Sequence, residues 1–145
     1  MKTIEQTENE IVDEFAFFTD WQEKYEYIIE LGRKLESYPE DKRTDEYKVK
    51  GCQSNVWLTA YEKDGRIYFL ADSDSSIVRG LVYILLRVLS GRTPDEIINS
   101  GLEFIDKIGL RKHLAATRAN GLMAMIKQIK MYALAYKAKL QGVNQ

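Results

Sequence analysis

The sequence predicts an α+β fold in which a small antiparallel β-sheet is covered on one face by helices. Three observations carry that prediction. Apolar residues recur at helical spacing through the first 35 positions, the period changes to two after Gly51, and helical spacing returns from Ile77 onward.

Ile4, Ile11, Val12, Phe15 and Phe18 predict a short amphipathic N-terminal helix, with Phe17 left off its stripe. Thr19-Asp20-Trp21-Gln22 fits a capping box, in which the Thr19 hydroxyl accepts from one backbone N–H and Gln22 reaches back to another. Trp21, Tyr25, Ile28, Leu31 and Leu35 form the apolar stripe of that second helix. Pro39 should end it, because a proline pushes the preceding residue out of helical dihedrals. Glu40 to Asp45 is a charged connection. Val56, Leu58 and Ala60 then alternate with Trp57, Thr59 and Tyr61, Asp64-Gly65 signals a hairpin turn, and Ile67 to Leu70 return. Tyr47 to Lys50 is a candidate third strand.

Asp72-Ser73-Asp74-Ser75-Ser76 offers several N-caps for a helix carrying Ile77, Leu81, Ile84, Leu85 and Val88 inward, with Gly91 suited to its C-terminal cap. Thr93-Pro94-Asp95-Glu96 starts another helix with a capping box and a proline at the first helical position, ending near Gly101. A short helix is expected over Leu102 to Lys107 and a loop over Gly109 to Thr117. The stripe of Leu122, Met125, Ile126, Ile129 and Tyr136 makes the last helix, diluted by charge near Lys139. Trp57, Trp21 and Tyr25 are expected in the core, since aromatics at strand or helix period usually pack inward.

No repeat and no Ser/Gly/Pro linker divides the 145 residues, so one domain, 1–145, is expected. Twenty-one basic and 22 acidic residues give a net charge of −1, far from the basic balance that nucleic-acid binding requires. The one cysteine, Cys52, excludes an intramolecular disulfide and points to a reducing, cytoplasmic home. The acidic start lacks the pattern of a signal peptide. The longest apolar run, Leu81 to Leu86, is far short of the ~20 residues of a membrane span. One cysteine and one histidine cannot supply the about four ligands of a structural zinc site or of an iron–sulfur cluster.

Cys52 follows Lys50-Gly51 and precedes Gln53-Ser54-Asn55. A free cysteine is most often a small buried hydrophobe. Here Gly51 permits a sharp turn, and Gln53, Ser54 and Asn55 are turn formers rather than core neighbours. Such a loop tip, beside the Lys50 cation and unpaired backbone N–H groups, could hold Cys52 as thiolate. A cysteine hydrolase would need a base, and His113 is the one histidine available. Thiol exchange or sulfur carriage needs one cysteine alone, because the partner brings the second sulfur.

Four ordered segments carry a resemblance. Gly51-Cys52-Gln53-Ser54-Asn55-Val56-Trp57-Leu58 resembles the GCQSxVW signature of SufE-type sulfur-acceptor proteins. Trp21 to Gly32 is similar to that family's WxxKYxYIIELG helix, and Asp72 to Leu81 to its DSDxxIVxGL segment. His113-Leu114 with Arg118 to Leu122 resembles the HLxxxRxxGL stretch that opens its last helix. Two positions depart from many relatives: Lys50, where they have proline, and Ala116-Thr117, where they have Pro-Ser. Both departures should loosen loops near Cys52, because proline fixes φ.

The resemblance implies a fold like that of the IscU scaffold proteins and a role in accepting sulfur from a SufS-type cysteine desulfurase. That sulfur would pass to an iron–sulfur assembly scaffold, with the chain a monomer or weak homodimer. Cys52 would carry the persulfide, and Arg118 could place a guanidinium near the thiolate or persulfide. Gln53, Ser54 and Asp74 would meet the partner, although Asp72, Ser73 and Asp74 also read as helix caps. The desulfurase holds the pyridoxal phosphate, so no cofactor is expected in this chain. A persulfide needs shelter, which the Val56/Leu58 face or the following helix could supply. Two other readings stay open: a non-covalent activator of a desulfurase with Cys52 structural, and a cysteine hydrolase using His113.

Overall fold

A computed structural model describes residues 1–143. The chain opens with α1 (Ile4–Ala16), started by a capping box in which Thr3 Oγ1 accepts from Gln6 N at 3.0 Å and Gln6 Oε1 accepts from Thr3 N at 2.9 Å. It buries Ile11 and Phe15 and leaves Phe17 82% exposed.

Helix α2 (Trp21–Gly32) is capped one residue later than the sequence predicts, by Asp20, whose carboxylate accepts from Glu23 N at 2.8 Å. Asp outranks Thr as an N-cap, so it takes the position. Thr19 instead donates to the Glu23 carboxylate, and Gln22 has no part in the cap. The helix also ends well before Pro39. Arg33 and Lys34 close it with i→i−3 bonds to Glu30 and Leu31. Pro39 leads instead into a 3₁₀ turn, Glu40–Lys42.

The sheet is one hairpin, β1 (Val56–Lys63) and β2 (Arg66–Ser73), paired antiparallel from Val56↔Ser73 to Lys63↔Arg66. Asp64 at φ 54° and Gly65 at φ 80° make the two-residue turn, the primed geometry that matches strand twist. Ile67, Phe69 and Ala71 of β2 alternate inward opposite Leu58 and Ala60, while Tyr61 and Tyr68 stack on the outer face with ring centroids 5.4 Å apart.

The expected third strand over Tyr47 to Lys50 does not form. Asp45–Tyr47 is a 3₁₀ turn, and the segment contributes one bridge, Lys48↔Trp57, with Val49 N donating to Val56 O at 2.8 Å. The rest of that β1 edge is taken by the last helix. Tyr132 and Tyr136 hydroxyls donate to the Leu58 and Ala60 carbonyls, each at 3.1 Å, and cover the unpaired acceptors that an edge strand exposes.

Helix α3 (Ser76–Leu89) is capped by Ser75 alone, whose Oγ accepts from Val78 N at 3.4 Å. None of Asp72, Ser73 and Asp74 caps it. Gly91 at φ 79° turns the chain after it, as predicted. Its inner face packs on β2 and crosses α2 at two glycines. A Cβ on Gly80 would lie 1.9 Å from Ile28 O, and one on Gly32 would lie 2.7 Å from Gly80 N. Arg87 ties α1 to α3, donating to Glu14 at 2.6 and 2.9 Å and to Glu10 at 3.3 Å.

Helix α4 (Pro94–Asn99) has the predicted Thr93/Glu96 capping box. Then α5 (Phe104–Lys107) begins two residues later than predicted, because Leu102 turns into the left-handed region at φ 52° to bury its side chain. The predicted loop holds one further helical turn, α6 (Leu110–His113), before α7 (Ala116–Val143). One buried hydrophobic cluster draws on α1 to α7 and both strands. Trp21 and Tyr25 lie at its margin, not inside it, and Trp57 is half-buried beneath the Arg43 guanidinium, 5.5 Å from its ring. None of the helices over the described residues is long and apolar enough to cross a membrane.

Candidate functional site

Gly51, at φ 94°, reverses the chain between the Lys48 bridge and β1 and sets Cys52 against α7. The Cys52 thiol is half-buried, and its S–H donates to the Gly121 carbonyl at 3.5 Å. It opens on a cavity of about 230 Å³. Val78 and Leu81 of α3 and Met125 of α7 form the apolar wall; Gln53, Ser54, Thr117 and Arg118 supply polar groups. Shelter therefore comes from the following helix, as one of the two expectations had it, and from α7. The Val56/Leu58 face does not line the cavity.

Burial pushes the Cys52 thiol above its ordinary pKa. The expected thiolate-stabilising loop tip is thus corrected. Lys50 lies on an exposed turn and contributes nothing that offsets desolvation. The carbonyl of Gly121 accepts a hydrogen bond from the thiol and repels a thiolate, so geometry and burial favour the same neutral form.

Arg118 shares the cavity with Cys52. Its Nη1 donates to the Tyr25 hydroxyl at 2.9 Å, and its guanidinium carbon lies 5.9 Å from the Tyr25 ring centroid. Tyr25 therefore orients the cation from α2. Sequence reasoning missed this because a tyrosine in an apolar stripe reads as core, although its hydroxyl is a polar handle that seeks a partner when buried.

Asp74 does not cap α3. Its carboxylate accepts from Asn55 N at 3.1 Å and from Asn55 Nδ2 at 2.8 Å, and Asp74 N with Ser73 Oγ donates back to Asn55 O, at 3.3 and 2.7 Å. The result latches the Cys52 loop to the β2–α3 connection. Asp72 pairs with Arg43 at 2.5 Å and Arg79 at 3.1 Å. His113 stays apart from the thiol. Its ring stacks on Trp21, centroids 4.1 Å apart, and its Nδ1 meets Gly109 O at 3.0 Å. It does not line the Cys52 cavity, so the geometry a Cys–His dyad demands is not built.

Fold and site together define an α+β protein with one cysteine, held on a latched loop in a small half-polar cavity. Residues 9–133 match the family model described as SufE: Fe-S metabolism associated domain. The chain belongs to the SufE family, and its association is with iron–sulfur metabolism. An uncharacterized SufE-like protein of Rhizobium meliloti is 45% identical over 130 residues, covering 86% of this chain and 93% of that protein. One from Synechocystis is 38% identical over 127 residues, covering 88% and 80%. A hypothetical protein from Thermus thermophilus, solved in solution, matches with a TM-score of 0.73 at 16% identity, over 89% of this chain and 94% of that one. That last likeness is one of fold.

Proposed function

We propose that this chain is a cytoplasmic sulfur acceptor and carrier, one SufE-like unit that takes sulfane sulfur from a SufS-type cysteine desulfurase onto Cys52. In the transfer the Cys52 thiolate attacks the terminal sulfur of the desulfurase's cysteine persulfide. The S–S bond of the donor breaks, its cysteine leaves as thiolate, and Cys52 keeps the new S–S bond. No net oxidation occurs, and the Cys52 proton is released to solvent or to the departing thiolate. A downstream iron–sulfur scaffold then takes the sulfur by the same exchange. The desulfurase supplies the pyridoxal chemistry.

The observation that carries this reading is the placement of Cys52: a lone thiol on a loop, in a cavity with an apolar wall and one cation. Arg118 would face the growing negative charge of a Cys52 persulfide from across that cavity. Gln53, at the exposed mouth, and Ser54 would meet the partner. Intact-protein mass spectrometry after incubation with a cysteine desulfurase and L-cysteine tests it. A reductant-sensitive gain of about 32 Da on the native chain and none on Cys52→Ser is the expected result. No adduct beside an active desulfurase, with stimulation retained in Cys52→Ser, would replace the carrier by a non-covalent activator.

A further inference from the structure

The last helix differs in charge from the rest of the chain. Helix α7 carries five basic residues, Arg118, Lys127, Lys130, Lys137 and Lys139, and no acidic one, in a sequence of 21 basic and 22 acidic residues. Its inner face is the core stripe of Leu122, Met125, Ile126, Ile129 and Ala133. Its outer face is apolar as well. Met123, Met131 and Leu134 are 39, 51 and 53% exposed, three of the six large hydrophobic side chains that stand exposed among the described residues. With exposed Lys127 and Ala138 they recur at three and four along one stripe. Lys130 Nζ is taken by the Ile98 and Ser100 carbonyls and Lys137 pairs with Asp95, whereas Lys127 makes no ion pair among the described residues.

We propose that this stripe docks an acidic amphipathic helix of the cysteine desulfurase. The choice of partner rests on the sulfur-carrier reading; the chemistry of the surface does not. Apolar side chains gathered on one exposed face mark an interaction surface, where single scattered ones would not, and two methionines adapt to irregular partner side chains. Lys127, one turn from both Met123 and Met131, calls for a carboxylate at the centre of the apposed helix with apolar residues to either side. The stripe is continuous with the Cys52 site. Met123 lies two residues beyond Gly121, whose carbonyl accepts from the Cys52 thiol, and a Cβ on Gly51 would lie 3.2 Å from Ala124 Cβ. None of the five stripe residues lines the Cys52 cavity, so a helix seated there leaves the cavity mouth open to the donor persulfide.

Charge decides against two other occupants. A second copy related by a two-fold axis would set α7 on α7, cation facing cation with no carboxylate on either helix. A membrane surface takes helices whose cations flank a face of bulky Trp, Phe or Leu. Here a lysine sits in the middle of the face, and the stripe holds no aromatic residue. From Met123 to Ala138 it runs about four turns, roughly 22 Å, the length of one ordinary partner helix.

Calorimetric titration of the full chain with a SufS-type cysteine desulfurase, at low and high salt, tests the surface, together with the rate of persulfide formation against desulfurase concentration. Lys127→Glu should weaken binding about tenfold and flatten its salt dependence, and Met131→Ser should weaken it a few-fold. In both, the half-saturating desulfurase concentration rises while the rate at saturation stays native. Lys63→Glu makes the same charge change at the exposed end of the hairpin and should bind as the native chain does. Equal weakening in Lys63→Glu, or native binding in both α7 variants, overturns the docking surface even where Cys52 carries sulfur. So does desulfurase binding left unmoved while Met131→Ser abolishes a dimer of this chain, or Lys127→Glu its binding to phosphatidylserine vesicles. Binding that both α7 variants weaken, with no sulfur adduct on Cys52, removes the carrier and keeps the surface. Native thermal midpoints show that the exposed substitutions leave the fold intact.

Discussion

Removing the Asp74 carboxylate should release the Cys52 loop without unfolding the protein. Asn55 is fastened by four hydrogen bonds, two accepted by that carboxylate and two donated to Asn55 O by Ser73 Oγ and Asp74 N. Asp74→Ala deletes the first pair and leaves the second. Both deleted bonds are exposed, so water replaces much of what they give, and their joint net contribution is about 1 kcal/mol. That shifts the balance between latched and released loop about fivefold. Cys52 is sheltered when latched, so alkylation proceeds from the released state and its rate should rise by the same factor. Pseudo-first-order iodoacetamide kinetics at pH 8, with thermal midpoints of both proteins, measure this. Asp74→Asn keeps one acceptor for Asn55 N and should show a smaller rise. A folded Asp74→Ala whose alkylation stays within twofold of the native rate would refute the latch.

Burial raises the thiol pKa, which predicts that native alkylation keeps climbing with pH past about 9.5, where an ordinary thiol of pKa about 8.5 has levelled off; a plateau there contradicts the shelter. The sign for stability follows. A pKa raised in the folded state contributes stability that is full below the unfolded thiol's pKa and is lost as pH rises through the folded one, a slope absent in Cys52→Ser. Gly80→Ala places a Cβ 1.9 Å from Ile28 O and should cost more than about 3 kcal/mol in urea unfolding. Gly121→Ala, with its Cβ 3.5 Å from Cys52 Sγ, should stay within about 1 kcal/mol of native. Comparable losses in the two would defeat the packing argument. Tyr25→Phe removes the hydroxyl that holds Arg118 and should slow sulfur acceptance a few-fold, and Arg118→Ala about tenfold; native transfer rates in both would remove Arg118 from the mechanism.

Local chemistry made much of the fold legible. Asp64-Gly65 has one favoured job between alternating strands, and Thr93-Pro94-Asp95-Glu96 carries cap, proline and reciprocal acid together, so both features stand where the sequence puts them. The failures share a cause, which is competition settled by tertiary contact. Thr19 and Asp20 are both cap-competent, and the stronger acceptor won. Tyr47 to Lys50 has strand-like residues, but Tyr132 and Tyr136, eighty or more positions away, occupy the edge it would have extended. Asp74 is a sound cap candidate until Asn55 is brought to it from across the hairpin.

The site shows the same division. Cys52 stood out from its neighbours, because a turn-forming sequence around a lone cysteine is a poor way to fill a core. Its electrostatics did not, since desolvation depends on Val78, Leu81 and Met125 arriving from two helices. That desolvation bears on the proposed chemistry in a way a thiolate poised at rest would not. Thiol exchange needs thiolate, but a thiol of higher pKa is intrinsically the better nucleophile once deprotonated. On the proposed function, a half-buried, neutral Cys52 would react slowly with stray oxidants and disulfides, and a partner that drew the loop into a wetter or more cationic setting would raise the thiolate fraction at the moment of contact. Selectivity would then reside in the release of the Asn55–Asp74 latch rather than in the reactivity of the sulfur itself.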